Sequence, residues 1–291
     1  MPEIDNQLAL SIGLTAKTQQ LCLGLESGAA DILELVTPTT AELLLWWFGE
    51  DMAAARGTLN FHAGQKQAIL NAIVAHEVLG ASTLKDLYEQ AAPDALLVGT
   101  RLAEVSAPKH AHPKYCFKMA TGTGKTWVLQ ALMIWQLLNK TAAAAEGLDD
   151  ARFTRQFMVV APGLIVYERL LDAFCGKLVA GGHGARDFAT SDMAVFADLF
   201  IPEAHREAVF AFVRGNVCSK HDIGLKATGN GMIAITNWHL LAEGDVPEEV
   251  EEVEAPGAPL AAHDVVAAVL PLTPGRATGN SLEVLDRRYA R

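Results

Sequence analysis

Apolar residues along this 291-residue chain follow two different periods, and the change from one to the other marks its organisation. Between Phe61 and Leu79 the residues Phe61, Ala63, Ile69, Leu70, Ile73, Val74 and Val78 recur at helical intervals, which predicts a helix. Ala81-Ser82-Thr83-Leu84 then offers a cap and the start of a second short helix. Upstream, Leu8 to Gly13 and the denser run Ala41 to Phe48, with Trp46 and Trp47, read as core, because large apolar side chains are the first to be buried. Ser106-Ala107-Pro108 to His112-Pro113 reads as a proline-bounded loop, in a stretch made locally basic by Arg101, Lys109, Lys114 and Lys118.

Three later segments share another format: an apolar or β-branched run, a turn at once, then a helical pattern. Tyr115 to Met119 leads into Ala120 to Gly124 and a helix over Thr126 to Leu138. Phe157 to Ala161 leads into Pro162-Gly163 and a helix over Leu164 to Phe174, and Met232 to Ile235 leads into Thr236-Asn237 and a further helical turn. Strands alternating with helices predict an α/β fold with a parallel sheet, all three turns facing one edge where ligands gather. The first of these helices carries Trp127, Leu129, Leu132, Met133, Trp135 and Leu138, apolar nearly all round, as expected of a helix buried against a sheet. Glu243 to Glu254 is a like-charge run that reads as a solvated insertion or loop. Val265 to Leu272 is a strand or a helix, which periodicity does not decide.

Composition narrows the classes. Hydrophobic content of 51% and charged content of 20%, with a mean hydropathy of +0.19, fit a packed core and not a disordered chain. A net charge of -11 and an isoelectric point near 5.3 argue against bulk electrostatic coating of nucleic acid, so any such contact is local. Cys22, Cys116, Cys175 and Cys218 form no CxxC pair, which suggests neither zinc nor a disulfide framework and fits a reducing cytoplasm. The N-terminus, Met1 to Asp5, lacks the positive region of a signal peptide, and no apolar run approaches the roughly 20 residues that span a bilayer, so export and membrane insertion are not expected.

The chemistry concentrates at Ala120-Thr121-Gly122-Thr123-Gly124-Lys125-Thr126, between a predicted strand and a predicted helix. That context is what a phosphate-binding P-loop requires. Gly122 and Gly124 let the backbone curl so that successive N–H groups point inward at an anion, reinforced by the positive end of the helix dipole. Lys125 would reach the β and γ phosphates of ATP, and the Thr126 hydroxyl would take one position on Mg²⁺. Of the histidines, His110 and His112 lack a cysteine or carboxylate pattern that would complete a metal set, and His76-Glu77 lacks the second histidine of a metalloprotease helix.

Where the strict P-loop pattern has glycine, this chain has Met119. The string Met119 to Thr126 resembles the first motif of superfamily 2 helicases, and most closely that of the ATPase subunits of type III restriction enzymes. Phe61-His62-Ala63-Gly64-Gln65-Lys66-Gln67-Ala68-Ile69 resembles the family's adenine-reading segment, which implies Gln65 as reader of the base; an exposed helix glutamine is the alternative. Its separation from the P-loop exceeds what is usual there, implying an insertion over Leu79 to Pro113. Val160-Ala161-Pro162-Gly163-Leu164-Ile165-Val166 and Ile235-Thr236-Asn237-Trp238-His239 resemble later strand-end motifs, which implies nucleic-acid phosphate contacts at Pro162, Gly163 and Thr236; ordinary strand-to-helix turns are the alternative.

The resemblance implies a parallel-sheet P-loop NTPase of the RecA-like motor-lobe type, incomplete in this chain. It sets an N-terminal α/β extension at 1–60 and the first ATP-binding lobe at 61–291, with insertions near 79–113 and 243–263. The family's Asp-Glu-x-His segment, which holds Mg²⁺ and activates the attacking water, has no counterpart here, and the second lobe with its charge-stabilising arginine is missing too. The expectation is therefore a truncated or split part of a DNA-dependent motor, binding ATP and Mg²⁺ but turning over poorly, acting on duplex DNA alongside a modification methyltransferase subunit. Two alternatives stay open: a P-loop kinase or other NTPase, and a non-catalytic nucleotide- or DNA-binding scaffold.

Overall fold

The computed structural model describes residues 8–180, 184–220, 222 and 231–238. The chain divides into two compact units, one made of Met1–Thr154 with Asp198–Arg206, the other of Arg155–Ala197 with Glu207–Arg291.

The described residues of the first unit are helical or irregular throughout. It holds α1 (Ala9–Leu21), α2 (Ile32–Leu35), α3 (Pro38–Phe48), α4 (Glu50–Arg56), α5 (Ala63–Ile73), α6 (Leu84–Ala91), α7 (Arg101–Val105) and α8 (Lys125–Ala145). The starts follow local chemistry. Thr37 caps α3, its hydroxyl accepting from the Thr40 N–H at 3.1 Å with Pro38 in the first turn. Thr83 caps α6 in a reciprocal box with Asp86, as Ser82-Thr83 predicted. A π turn, Val74–Val78, continues α5 and completes the predicted helix.

Leu43, Leu44, Trp47, Ile69, Ile73 and Ile134 form the buried centre where α3, α5 and α8 meet, each contributing about 1.5–3 kcal/mol of burial. Within the 79–113 segment, Tyr88, Ala95, Leu96 and Val105 make a smaller cluster packed against Leu10 and Leu84.

In the second unit, β1 (Gln156–Ala161), β4 (Val217–Cys218) and β5 (Met232–Asn237) form a sheet of order β1-β5-β4, parallel throughout. Gln156 pairs with Met232 and Ala161 with Asn237, so the two long strands end level. The helix α9 (Leu164–Cys175) follows β1 and packs on both β1 and β5, and β2 (Lys177–Leu178) with β3 (Arg186–Asp187) makes a small antiparallel ribbon. β5, in the middle, is buried from Ile233 to Asn237, whereas β1, at the edge among the described residues, exposes Met158 and Val160. The short helix α10 (Asp192–Val195) belongs to this unit, α11 (Ala197–Phe200) falls almost wholly in the first unit, and the longer α12 (Arg206–Asn216) falls almost wholly in the second.

Two of the three predicted strand-to-turn segments are strands, parallel and in register. The first is not: residues 113–120 form no strand. A strand requires a neighbour for its N–H and C=O groups, and the first unit holds no other strand among its described residues. For the same reason α8 is buried in its unit by helices α3 and α5 and not by a sheet. The 1–60 extension, expected to mix strand and helix, contains only helices among its described residues. The helical turn expected after Asn237, the charge run 243–254, the insertion near 243–263 and the apolar run 265–272 lie outside the described residues.

Candidate functional site

The loop from Met119 to Thr126 is shaped by two left-handed glycines. Gly122 has φ of 79° and Gly124 has φ of 66°, backbone that a side chain disfavours, and Gly124 caps α8 with no side-chain cap of its own. The N–H groups of the first turn of a 21-residue helix therefore open directly onto the loop. Lys125 folds back over it: Nζ donates to the Ala120 carbonyl at 2.8 Å and to the Met119 carbonyl at 3.2 Å. Thr123 Oγ1 donates to the same Ala120 oxygen at 2.7 Å. Thr121 and Lys125 are exposed, and Thr123 and Thr126 half-buried.

Gln65 lies against this loop and is only 2% exposed. Its Oε1 accepts from the His62 N–H at 3.0 Å, closing a capping box at the start of α5, and its Nε2 donates to the Gly124 carbonyl at 3.2 Å. A Cβ at Gly124 would sit 2.3 Å from Gln65 Nε2, so a larger residue there must displace that amide. His62 caps the same helix and reaches the loop, with Nε2 2.9 Å from the Thr123 carbonyl oxygen. Beneath both segments lies an aromatic cluster. The Phe61 ring is 5.9 Å from Phe48, 6.0 Å from Phe200, 6.2 Å from Trp47 and 6.5 Å from Trp127, the last of these on the first turn of α8. Trp47 is tied in turn by Nε1 to the Phe200 carbonyl at 2.9 Å.

In the second unit, Pro162, Gly163 and Thr236 gather at the ends of β1 and β5. Pro162 is exposed, and Gly163 is the extended N-cap of α9, again without a side-chain cap. Thr236 pairs with Val160 and is 1% exposed, so its side chain is part of the sheet interior. Beside it Asn237 Oδ1 is buried with no hydrogen-bond partner among the described residues.

The structure thus brings Gln65, Thr121, Gly122, Thr123, Gly124, Lys125 and Thr126 together in one unit and Pro162, Gly163 and Thr236 in the other. His62 and Asn237 are not singled out by the sequence. His62 stands three residues before Gln65, the spacing of a capping box, but that position is more commonly Ser, Thr or Asp. Among the described residues no three His, Cys, Asp or Glu side chains are grouped to hold a metal ion, and no helix is long and apolar enough to cross a membrane.

Compared with known proteins, residues 58–208 match the family model described as type III restriction enzyme, res subunit, just over half of the chain. The chain belongs to this family. The matched region contains the whole 119–126 loop, Gln65 and Pro162-Gly163, and ends before Thr236. No curated protein and no solved structure matches the chain.

Proposed function

We propose that this chain is the ATP-binding part of a DNA-dependent helicase or translocase of a type III restriction-like system. The observation that carries the reading is the loop of Gly122, Gly124 and Lys125 at the head of α8, inside the region matched by the res-subunit family.

The residues present fit a nucleotide polyphosphate. The left-handed glycines and the uncapped start of α8 supply backbone donors and a favourable dipole for an anion. Among the described residues Lys125 Nζ has the Met119 and Ala120 carbonyls as partners, and phosphate oxygens would exchange for them readily because they carry full charge. Thr126 would hold Mg²⁺ through its hydroxyl, and Thr121 and Thr123 would line the phosphates. The bound Mg²⁺–ATP supplies the phosphoryl group whose hydrolysis drives movement. Gln65 would read adenine with its second Nε2 hydrogen and second Oε1 lone pair, the others being engaged by the Gly124 carbonyl and the His62 N–H.

In the second unit, Gly163 and the first turn of α9 offer backbone N–H groups to a DNA phosphate, with exposed Pro162 shaping the approach. Buried Thr236 would contribute only where the strand end opens. On this reading residues 61–291 make a RecA-like lobe preceded by a 1–60 extension, in a cytoplasmic assembly with a modification subunit. No Asp-Glu pair stands in this sequence to hold Mg²⁺ and activate water, so slow turnover is expected.

The test is ATP turnover and DNA retention on the same preparation. Duplex DNA is expected to be retained at low salt and released as salt rises, with weak hydrolysis that depends on Lys125 and increases with DNA. Phosphoryl transfer to a small acceptor, indifferent to DNA, would replace the motor reading with a kinase. Nucleotide and DNA binding without any hydrolysis would leave a non-catalytic scaffold.

A further inference from the structure

Two carbonyls at the head of the loop are held from the same side. His62 Nε2 lies 2.9 Å from the Thr123 oxygen, and Gln65 Nε2 donates to the Gly124 oxygen at 3.2 Å. In a trans peptide the C=O and the following N–H point in opposite directions. Holding the Thr123 carbonyl toward α5 therefore turns the Gly124 N–H away from α5, and holding the Gly124 carbonyl does the same for the Lys125 N–H. Those N–H groups belong to the left-handed turn that would face an anion.

We infer that His62 is a positioning residue for this loop, orienting the Gly124 amide toward bound phosphate through its hydrogen bond to the Thr123 carbonyl. The inference rests on the nucleotide reading of the loop. Its chemistry follows from the ring. His62 Nδ1 accepts from the Gly64 N–H at 3.1 Å and the Gln65 N–H at 3.3 Å, so Nδ1 carries no proton and Nε2 is the N–H that donates to Thr123. One neutral imidazole caps α5 with one nitrogen and tethers the loop with the other. Its reach is fixed because the neighbouring Phe61 is wedged among Phe48, Trp47, Trp127 and Phe200. A shorter cap residue could satisfy the helix, but it would leave the Thr123 carbonyl untethered.

That difference gives the experiment, with ATP, AMP and the full chain. His62→Asn keeps a good N-cap but cannot span to Thr123. It is expected to melt like the wild type and to lose roughly five- to tenfold in ATP affinity, with AMP affinity little changed, the loss of one oriented hydrogen bond. His62→Gln, which retains a long donor, is expected to recover most of the ATP-to-AMP ratio. A wild-type ratio in His62→Asn, or a glutamine variant no better than the asparagine one, overturns the inference while leaving the phosphate site standing. A wild-type protein that binds ATP no better than AMP removes the nucleotide reading and the inference with it.

Discussion

Replacing Glu77 by leucine is expected to destabilise the protein by roughly 2–5 kcal/mol, through one buried and one part-buried donor that lose their acceptor. Glu77 lies in the π turn after α5 and is 5% exposed. Its carboxylate accepts from the Thr37 N–H at 2.6 Å, from Thr40 Oγ1 at 2.8 Å and from Trp135 Nε1 at 3.0 Å. Asn139 closes the network, donating to Thr40 Oγ1 and to the Trp135 carbonyl, each at 2.9 Å, and accepting from the Thr37 hydroxyl. One side chain thereby links the start of α3, the π turn and the middle of α8. Leucine would strand the Thr37 N–H and the Thr40 hydroxyl, while Trp135 would keep its 3.0 Å bond to Thr40. Glu77→Gln should lose a smaller but clear part of the stability, because one of its two polar atoms becomes a donor facing donors. Denaturant unfolding measures this as a lower midpoint at unchanged slope; a change below about 0.5 kcal/mol, typical of a surface site, would contradict the network.

Gly124→Ala should cost at least tenfold in ATP affinity. Its φ of 66° carries about 1–2 kcal/mol of strain once a Cβ is present, and that Cβ would meet Gln65 Nε2 at 2.3 Å. Gln65 must then release the Gly124 carbonyl, and the loop loses one of its two supports. Gly57→Ala is the control for backbone strain without a clash: its φ of 63° with ψ of −110° is a conformation that essentially only glycine adopts, but a Cβ there meets nothing within 4 Å. That variant should lose at least as much stability and bind ATP as the wild type does. Calorimetric titration of both variants separates general strain from a local effect, and normal ATP binding by Gly124→Ala would show that this part of the loop does not face the nucleotide.

Much of this arrangement was legible in the sequence, for reasons that differ from one element to another. The helix 63–73, the cap at Thr83, strands β1 and β5 and helix α9 each announce themselves through period and capping residues, which are local signals. The Ala120 to Thr126 string was legible because few other arrangements demand two left-handed glycines followed by lysine and a hydroxyl. The segment 115–119 was misjudged because alternation in Tyr115, Phe117 and Met119 suits a strand, yet a strand also depends on a partner that no local pattern encodes. The network at Glu77 was invisible for a related reason. Thr37, Glu77, Trp135 and Asn139 are scattered over about a hundred positions, and only packing brings them within hydrogen-bond range. Gln65 shows the limit of reading a residue from a motif: its side chain was placed on a base by resemblance, and the fold gives it a loop carbonyl and a helix cap as well.

The most direct test of the central claim is a calorimetric titration of Mg²⁺–ATP into the wild-type chain and into Lys125→Ala. Lys125 is exposed and, among the described residues, its Nζ bonds to the Met119 and Ala120 carbonyls of its own loop, so its removal should leave the melting transition within error of the wild type. The account predicts saturable binding by the wild type at one site and its loss, by a hundredfold or roughly 2.7 kcal/mol, in the variant. Equal binding by the two proteins, or no preference of the wild type for ATP over AMP, would contradict it.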